Sequence, residues 1–443
     1  MDRKHLEYYP ACKGHLYWDT DGTQHKVAIA FTVEVDLSGE IHIAIEDQPL
    51  SNKNFEILKV HHGSSRIVQP LKLEGHNQEG LVFQSNAIHL TNAGTTSTPN
   101  KATLKLTAKA QQLTVYTADD TDDSAGSYQA EYLVVGLQWF HGTIFSIAEE
   151  KIEISGTVNP EDFSKITGSI IIRSSSNERT FSEWLNVADS TVDRILDVVS
   201  FADGHFMRPS TRRAFKDKTL AQIDFTGKGR GSKPYMPPLH PLNYNESLPP
   251  LIQAYTQECI DKTGINVAIE WHLMPHLYNE ARFISQMTAI EHLIHIFSKQ
   301  SSDSTYINKN IFRNDIAPKI TDTLKQELTK IPLNDEKREN AVQEMGQNLK
   351  GINRRSLRSN LDRMMLAYDV PLDDLEDIIG SLIEMRNGIV HRGLSDSKNG
   401  KLSKRVAEAE ELLRRIILAI LGFNGRYTCW LNKIEDKEFR NTV

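Results

Sequence analysis

Near its C-terminal end the chain reads Glu384-Met385-Arg386-Asn387-Gly388-Ile389-Val390-His391-Arg392-Gly393. An arginine, an amide and an imidazole follow one another closely, and those are the groups that phosphodiester cleavage needs. Attack by an RNA 2′-hydroxyl requires a proton removed from that oxygen and a proton delivered to the departing 5′-oxygen. The phosphorane between them needs charge stabilisation. His391 can move protons near neutral pH, and the planar fork of Arg386 can grip a phosphate bidentately. Asn387 can orient the imidazole or bond a phosphate oxygen. None of these steps calls for a metal.

On a helix, Glu384, Asn387 and His391 are spaced by three and four residues and share one polar face. Arg386 lies about 140° round from His391, within reach of a shared phosphate because its side chain is long. His391 falls in the last turn, where unpaired carbonyls attract a cation. Gly388 costs about 1 kcal/mol relative to Ala inside a helix, so a close approach by a partner helix or a phosphate is expected there. The helix itself is predicted from Leu375, Ile378, Leu382, Met385 and Ile389, which form one apolar stripe. Pro371 suits its first turn, Asp373, Asp374, Glu376 and Asp377 suit the positive end of its dipole, and Gly393 suits its stop.

Arg followed directly by Asn, with His after three further residues at the end of an amphipathic helix, resembles the Arg-polar-x3-His signature of HEPN ribonucleases. The Asp-rich start and Ile383-Glu384-Met385-Arg386-Asn387 resemble, more narrowly, the ApeA family of bacterial anti-phage HEPN proteins. This resemblance implies a compact helical HEPN domain carrying a metal-independent endoribonuclease of abortive infection, with Arg386, Asn387 and His391 as its catalytic residues. It points to RNA, tRNA above all, as the substrate, to a phage trigger of unknown nature, and to no cofactor or metal. One motif supplies one histidine, whereas in-line cleavage benefits from an acid and a base on opposite sides of phosphorus. Pairing of two motif helices in a homodimer, or a higher even oligomer, is therefore expected. Glu291 can support the site through space, but linear order does not place it there.

Across the whole chain, 39% apolar and 25% charged residues are ordinary for a globular protein. The N-terminus has no apolar signal core, and the apolar run Ile416 to Phe423 is far too short to span a bilayer. A cytoplasmic protein with no membrane contact is expected, its cysteines Cys12, Cys259 and Cys429 reduced. The net charge is −7; residues 251–443 carry 27 Lys and Arg against 27 Asp and Glu, leaving 24 against 31 before them. RNA must then be held by a local patch rather than by long-range attraction. Lys350, Arg354, Arg355 and Arg358, with Arg392 near the motif, are the candidate RNA-binding residues.

An α+β fold is predicted: a β-rich N-terminal domain, sandwich or barrel-like with a small α/β extension, followed by an all-α HEPN bundle. Strands such as Val27–Val35, Glu40–Ile45, Thr103–Leu106 and Gln112–Tyr116 are separated by turn residues. Asn92–Pro99 and the acidic Thr117–Gly126 read as loops, and the latter lacks calcium-loop spacing. Residues 1–235 are assigned to a sensor or regulatory domain, with a possible sub-boundary near 150. Residues 236–250 read as a Pro-rich linker, and 251–443 as the helical domain. Gly227–Lys233 does not match a phosphate loop. His272 with His276, and His292 with His295, have zinc-like spacing but no further ligand in view. Three function classes thus fit the sequence: the ribonuclease, a non-catalytic helical module binding nucleotide or protein, and a zinc-dependent hydrolase. Intact Arg386, Asn387 and His391 favour the first.

Overall fold

The structure, a computed structural model, describes residues 5–20, 22–49, 70–98, 101–117, 126–158, 162–174, 179–227, 235–300, 305–372, 374–375, 378–392, 399–431 and 433–440. The fold is α+β: a large antiparallel β-sheet region followed by a helical region. The chain divides into two compact units, residues 1–253 and 254–443.

The first unit begins with β1 (His5–Thr20), β2 (Thr23–Asp36), β3 (Ile41–Pro49), β4 (Leu71–His76), β5 (Leu81–Thr98), β6 (Lys101–Ala110) and β7 (Leu113–Thr117). Alternation decides what they do: along β2, Val27, Ile29, Phe31, Val33 and Val35 are buried and their neighbours are not, the period-two pattern of a strand with one face on a core. The pairing order β4-β1-β2-β3-β6-β5 returns on itself, because β4 also pairs with β5, so this part is a closed ring of strands. Gly14 pairs with Gly75 where β1 meets β4, and a Cβ at Gly14 would lie 2.1 Å from the Glu74 carbonyl. Only a bare backbone fits that crossing.

From β5 the sheet continues through β7 to β13 (Thr219–Phe225), β12 (Pro209–Lys216), β8 (Tyr128–Val135), β11 (Ile166–Arg173), β10 (Glu150–Gly156) and β9 (His141–Ile147). Helix α1 (Phe181–Asp203) packs on β8. It starts at a capping box, Thr180 with Glu183, and stops at Gly204 in the left-handed conformation. Strands on both sides of residue 150 pair within one sheet, so there is no sub-boundary there. Asn92–Thr98, expected as loop, extends β5 and pairs with Lys101–Thr107. The acidic run 118–125 and residues 228–234 of the Gly-rich passage lie outside the described residues.

Residues 236–250, expected as a Pro-rich linker, are instead largely helical. They carry a 3₁₀ turn (Pro241–Asn243) and most of α2 (Tyr244–Ala254), which contains Pro249 and Pro250. Burial outweighs the proline cost: Tyr244 stacks on Phe140 at 5.2 Å between centroids and its hydroxyl donates to Asp203 at 2.6 Å.

The second unit comprises α3 (Gln257–Thr263), α4 (Ile265–Leu273), α5 (Asn279–Gln300), α6 (Ala317–Thr329), α7 (Asp335–Ile352), α8 (Leu357–Ala367), α9 (Ile379–Arg392) and α10 (Asn399–Ile420). A helical turn (Lys309–Ile311) and a π turn (Phe312–Ile316) lead into α6. An unanticipated hairpin, β14 (Gly425–Cys429) with β15 (Glu435–Phe439), follows α10 and buries Tyr427 against Phe439. Helix α5 is the hub: it packs against α3, α4, α8, α9 and α10. Among the described residues no helix is long and apolar enough to cross a membrane.

Candidate active site

Helix α9 buries Ile379, Leu382 and Ile389 and packs on α5 and α8. It starts at Ile379 rather than at Pro371. The reason lies elsewhere in the unit: Arg415 on α10 donates to the Pro371 carbonyl at 3.0 Å and to the Asp374 carboxylate at 2.7 Å, and Lys437 on β15 reaches the same carboxylate at 2.6 Å. Burial alone would raise the Asp374 pKa, but bonds from these two cations hold it at about 2. Asp374 thus anchors a turn ahead of the helix instead of capping a first turn. Asp373, Glu376, Asp377 and Gly393 lie outside the described residues.

Arg386 faces α5. Its Nε donates to Oε1 of Glu291 at 2.6 Å and its Nη2 to Oε2 at 2.9 Å, a bidentate pair in which each side chain keeps 29% of its exposure. Its Nη1 donates to the Asn387 Oδ1 at 3.2 Å. A guanidinium has five N–H donors, so these three bonds leave one on Nη1 and one on Nη2 for a further anion. Asn387 and His391 are exposed, and His391 has no hydrogen-bond partner among the described residues. The structure therefore joins Arg386 to Asn387 and adds Glu291; it does not bring His391 into hydrogen-bond contact with either. The only sequence signal for Glu291 is an acid set among Ile290, Leu293 and Ile294, all of which are buried.

The basic cluster divides. Arg354 and Arg355 line a cavity with Lys309 and Arg313, whereas Arg358 turns to Asp362 at 3.9 Å and is not part of that lining. The side chains of Lys350 and Arg392 lie outside the described residues.

The histidine pairs do not converge on a metal site. Helix α4 ends at Leu273, so His272 and His276 do not share a helical face. His272 is buried and its Nδ1 sits 2.8 Å from Gln286 Oε1. Burial, reinforced by Arg414, pushes its pKa down to about 3. His292 is partly buried against Gly264, and its pKa is lowered mainly by desolvation, while His295 is exposed. Among the described residues neither pair acquires a third metal-ligating group; the one such cluster is Asp36, Glu40 and His42 in the first unit, where Lys109 already pairs with Glu40.

Compared with family models, with curated proteins and with solved structures, the chain matches none.

Proposed function

We propose that the protein is an endoribonuclease that cleaves RNA by 2′-hydroxyl attack at Arg386, Asn387 and His391. The observation that carries this reading is the Glu291–Arg386–Asn387 arrangement. A half-buried carboxylate fixes the guanidinium from one edge and leaves N–H groups free for an anion, and the same helix carries an exposed histidine. A plain surface arginine at a helix end needs no such support.

In this reading the base removes the 2′-hydroxyl proton, the 2′-oxygen bonds to phosphorus, and the P–O5′ bond breaks as the acid protonates the 5′-oxygen. The products are a 2′,3′-cyclic phosphate and a 5′-hydroxyl. Arg386 neutralises charge on the non-bridging oxygens. His391 supplies one proton-transfer group and its counterpart in a second copy supplies the other, so the active form is a homodimer or a multiple of it. The substrate is tRNA or another cellular RNA, the setting is defence against phage, and the first unit gates or senses.

Sequencing RNA ends from cells expressing the chain, beside a His391→Ala control, tests this. New ends with 2′,3′-cyclic phosphate that vanish in the control are expected; identical ends in both refute the proposal.

A further inference from the structure

A cavity of about 660 Å³ lies between the approach to α6, the C-terminal part of α7 and the start of α8. Among the described residues four cations line it, Lys309, Arg313, Arg354 and Arg355, and no acidic residue does. Among the described residues Lys309, Arg313 and Arg354 have no carboxylate partner. Gathering like charges costs electrostatic energy, and a bound polyanion reverses the sign of that term.

The frame of the cavity is built. Asn353 is buried and clamps Ile307 from both sides, accepting from its N–H at 2.8 Å and donating to its carbonyl at 2.7 Å. Thr305 forms a bridge with Arg354 beside that clamp. Arg355 is steadied over the Tyr306 ring at 4.8 Å. Phe312 and Arg313 enter from the π turn, a distortion that recurs at functional sites.

Two further features narrow the ligand. Phe312 and Leu349 give the cavity an apolar wall. Asn360 Oδ1 is buried with no hydrogen-bond partner, so it calls for a donor such as a hydroxyl or an exocyclic amine. Several cations, an apolar surface for a ring and a buried acceptor fit a nucleotide, and the volume falls in the usual range for such ligands. We propose that this cavity binds a nucleotide carrying two or more phosphate groups. The proposal is independent of RNA cleavage.

Isothermal titration of the full chain with ADP, ATP, GDP and GTP, and with adenosine and pyrophosphate as fragments, tests it. At least one nucleotide is expected to bind, with each fragment at least about tenfold weaker because it forfeits one half of the contacts. Arg313→Ala and Arg354→Ala should each weaken binding about tenfold, the loss of one charge-assisted contact. Lys325→Ala, which removes a cation of α6 outside the lining, should not change it. Gly346 lines the cavity within α7, and a Cβ there would meet nothing within 4 Å. Gly346→Leu should therefore block the cavity while its melting temperature holds or rises, since Leu favours a helix more than Gly does. No nucleotide binding by the wild type, or binding unaffected by Gly346→Leu, overturns the proposal. Pyrophosphate or poly(U) binding as tightly as the best nucleotide also overturns it, in favour of a track for phosphate backbone.

Discussion

Replacing Glu291 separates a positioning role from a merely structural one. The carboxylate meets Arg386 through two bonds, 2.6 and 2.9 Å, with both side chains 29% exposed. At an effective dielectric near 20, unit charges about 4 Å apart attract by ~4 kcal/mol, and desolvation and side-chain ordering offset much of that. Exposed pairs retain ~0.2–1 kcal/mol, and bidentate charge-assisted geometry about doubles a bond's strength. A coupling of ~1–2 kcal/mol is therefore expected from a urea-unfolding double-mutant cycle over Glu291→Ala, Arg386→Ala and the pair. Activity should change more than stability. Without Glu291 the fork can swing by an ångström or more, a displacement that costs ~10²-fold in rate when a charged group must meet a transition state. This loss should fall on kcat rather than KM, and Glu291→Gln should recover part of it through its remaining acceptor. A coupling below ~0.3 kcal/mol, or an unchanged kcat in folded Glu291→Ala, would refute the positioning argument.

Purified Arg386→Lys should cleave RNA as poorly as Arg386→Ala, since a point charge lacks the fork, and His391→Ala should lose ~10²–10⁴-fold; full activity in either sinks the assignment, as does abolition by EDTA with recovery on adding zinc. Light scattering should show a dimer or a multiple of it, and an active, strictly monomeric enzyme would remove the two-histidine mechanism. Stability should fall in acid through His272: its pKa of about 3 in the folded chain lies below the ~6.5 of the unfolded one, so the unfolded state takes up the proton first. That contribution is complete above pH ~6.5 and is lost as pH falls towards 3, with about 2 kcal/mol gone by pH 5. His272→Gln should flatten the slope of unfolding midpoint against pH over that window, and an unchanged slope would place the titration elsewhere.

What the sequence made legible is what short-range periodicity encodes. The stripe of Leu382 and Ile389 and the alternation along Val27–Val35 both report faces that are buried in the fold. What it hid is decided by residues distant in the chain. The start of α9 was misplaced because Asp374, which looks like a first-turn acid, is captured by Arg415 and Lys437, 41 and 63 residues further on. Pro249 and Pro250 suggested a linker, yet the stacking of Tyr244 on Phe140, from a strand region a hundred residues earlier by order of magnitude, holds a helix there. The pairing of β1 with β4 in that ring depends on close backbone approach at Gly14 and Gly75, which no hydrophobic pattern records.

The same distinction governs the site. Arg386 and Asn387 are adjacent, so their association could be read directly, whereas Glu291 lies 95 residues from Arg386 and becomes its partner only because α5 is the hub on which α9 packs. Likewise Arg354 and Arg358, one helical turn apart by number, are not neighbours on one helix: α8 begins only at Leu357, behind the Ser356 cap. The cap sends Arg354 and Arg355 into the cavity while Arg358 runs along α8 to Asp362. A capping serine between basic residues is thus itself a sign that a cationic run will be divided, because it forces extended backbone at one point in the run. Substituting Ser356 should then disturb the cavity's arginines and leave the Arg386 fork, held from α5, where it is.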